Sequence, residues 1–167
     1  YTASVNDTGR AASQNNATRS YAHQLMDHLA KRYPDLKQPI RLIPTGEVLY
    51  VLDKKIKAGE LPGLKELARR QPKLVPGLDD DTDFSDGINV LYADAIHLNP
   101  IPHKGDTLGI FVTGTTMYTV LSGQSPVGMS GKAYGLDDEQ DAALIQAIQQ
   151  TIWDVVTAEP RTGVTGQ

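Results

Sequence analysis

The chain has 167 residues, 40% hydrophobic and 22% charged, which is enough apolar sequence for one core and too balanced a composition for a disordered chain. A net charge of −4 and a pI near 5.5 leave no basic footprint, so nucleic acid is not expected as a partner. There is no cysteine, which excludes disulfides and thiolate chemistry and leaves the compartment open.

The first residues do not read as a signal peptide, and Tyr1 is not an initiator methionine, so the chain reads as processed or trimmed. Residues 1–16 are rich in Thr, Ser, Asn and Gly and read as a loop or strand end. Tyr21, Leu25, Met26, Leu29 and Tyr33 then follow a helical period, which predicts an amphipathic helix over 17–33 stopped by Pro34. Residues Ile40 to Ile43, between two prolines, predict a short strand. Val48, Leu49, Leu52 and Ile56 share one face of a second helix over 46–58, with Gly59 as its left-handed terminator. A short basic helix is expected from Lys65 to Arg70, then a looser Pro-containing stretch and an acidic loop from Asp79 to Gly87.

Ile88 to Tyr92 is the next strand candidate. Leu108 to Leu121 is almost continuously apolar or small and reads as a buried helix, too short and too Thr-rich to span a bilayer. The last helix is expected to begin at Asp137, with Gln140 completing a capping box, and to bury Leu144, Ile145, Ile148, Ile152 and Val156. Pro160 and Gly163 end it and leave residues 159–167 as a flexible tail. No internal repeat is visible. Helices alternating with strands predict an α/β domain with a parallel sheet, in which the turn after Ile88 to Tyr92 would lie at the C-terminal edge of the sheet.

That turn carries the chemistry. Asp94 precedes His97 by three residues in Tyr92-Ala93-Asp94-Ala95-Ile96-His97-Leu98-Asn99-Pro100. A carboxylate so placed can accept from one ring nitrogen, fix the tautomer, and leave the other nitrogen to take a proton from a nucleophile. The longer string from Asp94 to Pro100, followed by Leu121-Ser122-Gly123-Gln124-Ser125-Pro126-Val127-Gly128, resembles the final block of the SGNH (GDSL-type) hydrolases.

The resemblance implies a three-layer α/β/α flavodoxin-like fold, of which this chain would be the C-terminal part. It also implies a serine ester hydrolase in which His97 is the general base and then the general acid, while Asp94 orients and stabilises the imidazole. The implied substrate is a small-molecule or carbohydrate ester, acetylated carbohydrate among them, with no cofactor, and the implied location is secreted or periplasmic. Neither a Gly-Asp-Ser block nor a Gly-x-Ser-x-Gly elbow occurs, and Val5-Asn6-Asp7 lacks the glycine of a Gly-x-Asn-Asp oxyanion block. Nucleophile and oxyanion donors are therefore expected from a missing N-terminal segment or a companion chain. The alternative is a non-catalytic binding or interaction module that keeps the turn as scaffold.

Other constellations are weaker. The resemblance implies that His103 caps or packs beneath the site, and His97 and His103 lack the third ligand at sensible spacing that a zinc site needs. Asp79, Asp81 and Asp83 alternate like calcium ligands, but Phe84 and Val90 stand where an EF-hand loop needs glycine and glutamate. Gly131-Lys132 lacks the first glycine and the hydroxyl of a phosphate loop. His23 and His28 read as surface residues of the first helix, and Ser122, Ser125 and Ser130 lie in a loop without the strand-turn-helix context that would expose a nucleophile.

Overall fold

A computed structural model describes residues 8–71, 91 and 108–166. Those residues form helices α1 (Thr8–Arg32), α2 (Thr45–Lys57), α3 (Leu64–Arg70), α4 (Leu108–Ser122) and α5 (Ala142–Ala158), with 3₁₀ turns at Lys132–Tyr134 and Pro160–Thr162. Among them there is no strand, so the α/β, flavodoxin-like architecture is overturned.

The strand expected at Ile40 to Ile43 fails for a physical reason, and the one expected at Ile88 to Tyr92 lies outside the described residues apart from Leu91. Ile40 to Ile43 is irregular, because Pro39 and Pro44 carry no N–H and Pro44 restricts Ile43 to extended angles without giving it a neighbour to pair with. Its backbone makes one bond across the fold, from Leu42 N–H to the Arg161 carbonyl (2.9 Å), while the Arg41 guanidinium donates to the Val120 carbonyl at the end of α4 (2.9 Å). Of the Ile88 to Tyr92 candidate only Leu91 is described; it is helical and 1% exposed. A short apolar run fits a buried helix as well as a buried strand.

The core lies where α2, α4 and α5 meet. α2 buries Val48, Leu49, Leu52 and Ile56 as its period requires. Its end is set by Gly59 at φ 69°, which lets Gly59 N–H reach the Ile56 carbonyl (3.0 Å) and Glu60 N–H the Lys55 carbonyl (2.8 Å), the Schellman pattern. Lys54, Lys55 and Lys57 sit in its last turn, where the helix dipole favours cations.

α5 buries Leu144, Ile145, Ile148, Ile152 and Val156, as expected. Its start differs. Asp137 accepts from the N–H groups of Glu139 and Gln140 (both 2.9 Å), which caps a preceding turn, and the helix proper begins after Asp141. The Gln140 side chain accepts from Arg70 instead of returning to a capping box.

α4 packs Leu108, Phe111, Val112 and Val120 inward. Its buried threonines cost little, because Thr116 and Thr119 donate to the Val112 and Thr115 carbonyls one turn back (2.7 and 2.8 Å). Residues after α5 are packed rather than a loose tail: Thr162 is fully buried, Val164 is 5% exposed, and the Thr162 hydroxyl donates to the Val156 carbonyl (2.9 Å).

α1 departs most from its expected face. Tyr21, Leu25 and Tyr33 are exposed, while Ala22, Met26 and Leu29 are half-buried. A helix lying on a surface buries only a narrow stripe, and polar contacts to Glu159 and Arg161 do much of the holding here.

α3 is tied to the start of α5 by a bond from Arg70 to the buried Asp141 carboxylate, which also accepts from Asp137 N–H (2.8 Å). Arg70→Met should therefore leave a buried carboxylate with one partner. A fully buried pair broken in this way costs about 3–5 kcal/mol; Arg70 is 35% exposed on its side chain, so solvent screening lowers the expected loss to roughly 1–3 kcal/mol by chemical denaturation. An unchanged midpoint would show that the bond contributes nothing.

Candidate functional site

Asp94 and His97 lie outside the described residues, as do His103 and the acidic loop from Asp79 to Gly87. What the structure places is the frame on either side of the pair. Leu91 is 1% exposed and Leu108, the first residue of α4, is fully buried. Both ends of the segment that carries Asp94 and His97 are thus fastened in the helical core. No sheet stands among the described residues, so the sheet-edge placement expected for the turn has no support there.

The serines after α4 hold turns rather than waiting for a base. Ser122 accepts from Gln124 N–H (3.1 Å) and Ser125 from Val127 N–H (3.3 Å), the local pattern in which short hydroxyl side chains stand in for backbone acceptors. Ser130 donates to Asp138 Oδ2 (2.7 Å) and accepts from Lys132 N–H (3.2 Å).

Ser130 and Asp138 line a cavity of about 350 Å³ with Val127, Ile145, Gln146 and Gln149. Its floor is built by Gln149, a fully buried side chain that accepts from Gly128 N–H (3.0 Å) and donates to the Met129 carbonyl (2.8 Å). Those two bonds satisfy the buried amide and hold the loop against α5. Nothing in the sequence pointed to this role, since the partners lie 20 and 21 residues away.

The Ser130 hydroxyl and then the Gly131 N–H (2.8 Å) hold the Asp138 carboxyl below its ordinary value, and the Gln140 and Glu139 N–H groups do the same for Asp137. A carboxylate stabilised in this way is a weaker base than usual. The Asp138 carboxylate gives the cavity an acceptor for a ligand's hydrogen-bond donors, and the Ser130 hydroxyl is engaged with that carboxylate.

These turns carry an acid dependence. A carboxyl whose folded value is depressed binds fewer protons folded than unfolded, so its contribution is complete above the unfolded value and is lost as pH falls through the folded one. Amide exchange at Gly131, Glu139 and Gln140, corrected for its intrinsic pH dependence, is therefore expected to quicken as pH falls below the ordinary 3.8 of both groups. The interior of α5 should lag behind. Protection that is flat through that range would contradict the bonds.

A second carboxylate and imidazole meet far apart in sequence. His23 Nε2 lies 3.2 Å from Glu159 Oε2, Arg161 donates to the His23 carbonyl (2.7 Å), and Arg161 pairs with Asp27 (3.2 Å). The group fastens α1 to the turn after α5. Sequence reasoning left His23 and His28 on the surface, and the pairing of His23 has no local signal because its partner is 136 residues away.

Among the described residues no three His, Cys, Asp or Glu side chains converge as metal ligands, and no helix is long and apolar enough to cross a membrane. No family model, curated protein or solved structure matches the chain.

Proposed function

We propose that this chain supplies the base and its orienting carboxylate, His97 and Asp94, to a serine ester hydrolase acting on carboxylic esters, acetylated carbohydrate among them. The observation that carries the reading is the string Asp94-Ala95-Ile96-His97-Leu98-Asn99-Pro100, followed by Leu121 to Gly128, which resembles the last block of the SGNH hydrolases. It concerns the chemistry of the pair and not the α/β architecture, which the helices overturn. Two structural facts bear on where its nucleophile would lie. Leu91 and Leu108 anchor both ends of the segment, and Ser122, Ser125 and Ser130 are each engaged in local hydrogen bonds, so the nucleophile is to be sought elsewhere.

In that chemistry His97 takes the serine proton as the oxygen attacks the ester carbonyl, and the imidazolium returns it to the departing alkoxide. Water then repeats the sequence on the acyl group and releases the acid, with Asp94 stabilising the imidazolium in both halves. The test is turnover of p-nitrophenyl acetate. Tyr1–Gln167 alone is expected to stay at background, and the same residues joined to a segment with a Gly-Asp-Ser turn should turn over. Activity of the isolated chain that is abolished by changing Ser122, Ser125 or Ser130 would overturn the assignment.

A second reading, a binding module without catalysis, is favoured by the Ser130/Asp138 cavity. It would show as a ligand-dependent shift at Ser130, Asp138 and Gln146 with no ester turnover in any joined form.

A further inference from the structure

We infer that the cavity between the 127–130 loop, Asp138 and the first turns of α5 binds a primary alkylammonium group; this deepens the reading of the chain as a binding module and rests on it. Among the described residues Asp138 is the single charged side chain that lines the cavity. Its carboxylate accepts from the Ser130 hydroxyl and from Gly131 N–H (2.7 and 2.8 Å), bonds that favour the ionised form. A carboxylate offers about four lone-pair directions, so acceptor capacity is left for a ligand.

The loop wall is fixed before a ligand arrives. Met129 N–H donates to the Pro126 carbonyl (3.0 Å), Gly128 N–H donates to the buried Gln149 amide (3.0 Å), and that amide donates to the Met129 carbonyl (2.8 Å). A site held in this way loses little freedom on binding. The same bonds select the ligand. The N–H groups of Gly128, Met129 and Gly131 and the Ser130 hydroxyl are all committed as donors, whereas Asp138 can still accept. An ammonium has three donors and no acceptor, so none of its needs goes unanswered. A hydroxyl or an amide brings acceptor lone pairs that these groups cannot serve.

Charge and shape point the same way. Asp137, Asp138, Glu139 and Asp141 stand together before α5, against Arg70 bound to Asp141 and Lys132 near Asp138. Such a surplus of carboxylates attracts cations, and a charge-assisted bond is roughly twice as strong as a neutral one. The start of α5 opposes this with only about half a unit of positive charge. Lys132 stays 3.8 Å from Asp138 Oδ2 and is 75% exposed, a pair that contributes little, so a ligand cation displaces no strong bond. Val127, Met129, Ala142 and Ile145 form the apolar part of the lining, which suits a short alkyl chain. A volume of about 350 Å³ lies at the small end for ligand sites.

Two sources carry this group, a free alkylamine and the lysine side chain of another polypeptide. The test follows backbone amide shifts of Tyr1–Gln167 as n-butylamine hydrochloride is added at neutral pH, where the amine is protonated, and at constant ionic strength. Saturable shifts in the millimolar range are expected at Ser130, Gly131, Asp138 and Gln146. n-Butanol, which keeps the chain and loses the charge, and tetramethylammonium, which keeps the charge and has no N–H, should bind at least about tenfold more weakly. Asp138→Asn should weaken butylammonium by at least about tenfold as well. Ala142→Phe, at an exposed position whose side chain makes none of these bonds, should fill the cavity and abolish the shifts even where Asp138→Asn disturbs the turn.

Tighter binding of putrescine than of N-acetyl-lysine methylamide assigns the site to a free amine, and the reverse order assigns it to a lysine side chain; either order supports the inference. No saturable shift, equal shifts with n-butanol or tetramethylammonium, or butylammonium binding that survives both substitutions overturns it. Glucose that shifts the same amides where butylammonium does not would overturn the ammonium assignment and leave the binding-module reading standing. Butylammonium binding in a joined form that also turns over p-nitrophenyl acetate leaves the site standing and rejects that reading.

Discussion

Phe111→Ala is expected to lower the unfolding free energy by about 3–5 kcal/mol. Phe111 is 1% exposed and meets Tyr134 edge-on, with ring centroids 5.3 Å apart and planes at 62°, an arrangement that contributes beyond its buried area. The cost depends on whether the surroundings can collapse into the space. They have little freedom to do so. A Cβ at Gly114 would lie 2.5 Å from the Tyr134 hydroxyl, so Tyr134 is already seated against the backbone of α4, and its 3₁₀ turn is held by bonds from Tyr134 N–H and Leu136 N–H to the Gly131 carbonyl (2.9 and 3.2 Å).

The upper half of that range is therefore expected, against a total stability of about 5–15 kcal/mol for a domain. Urea unfolding followed by circular dichroism would measure it, with the midpoint falling at unchanged slope. Phe111→Leu, which keeps most of the volume, should cost less than about 1.5 kcal/mol. A loss under about 1 kcal/mol for Phe111→Ala would mean that α4 does not occupy the core.

If the proposed function holds, His97→Ala is expected to lower ester turnover of Tyr1–Gln167 joined to a segment with a Gly-Asp-Ser turn by about 4 kcal/mol of barrier or more, roughly a thousandfold at 1.36 kcal/mol per power of ten. The magnitude follows from the way nucleophile, base and orienting group act as one unit: without the imidazole the serine keeps its proton, and losing the base costs nearly as much as losing the oxygen. Asp94→Asn should cost less, because it spoils the tautomer and leaves the base in place. Neither change is expected to shift the urea midpoint as Phe111→Ala does. Turnover that survives His97→Ala within tenfold would remove the hydrolase assignment, and a matching fall in stability would make His97 a structural residue.

The apolar periodicity of this chain is strong enough to be read without coordinates. Val48, Leu49, Leu52 and Ile56 on α2, and Leu144, Ile145, Ile148, Ile152 and Val156 on α5, are buried as their spacing requires, because a 3.6-residue period leaves only one side to pack. The glycine terminator of α2 and the proline stop after α1 were legible for the same local reason. α1 itself was misjudged in part: Tyr21, Leu25 and Tyr33 form a plausible stripe, yet the helix turns Ala22, Met26 and Leu29 inward. The polar contacts that hold it come from Glu159 and Arg161 at the other end of the sequence, where no local pattern signals them.

The candidate site divides along the same line. The types and spacing of Asp94 and His97 define a possible base and its orienter, since three residues of separation is a local property. The three serines read from their loop context as poor nucleophiles, and each accepts from an N–H two residues on, which holds a turn. Ser130 is held through Asp138 eight residues on, and the loop beneath it through Gln149 on α5.

What the sequence determined by itself was the buried faces of α2 and α5 and their stops, all consequences of interactions within a few residues. Whether Ile40 to Ile43 would be a strand was decided only by the tertiary structure. A strand exists through hydrogen bonds to a neighbour, and Ile40 to Ile43 has none to form a ladder with, while Leu91 is taken into the helical core.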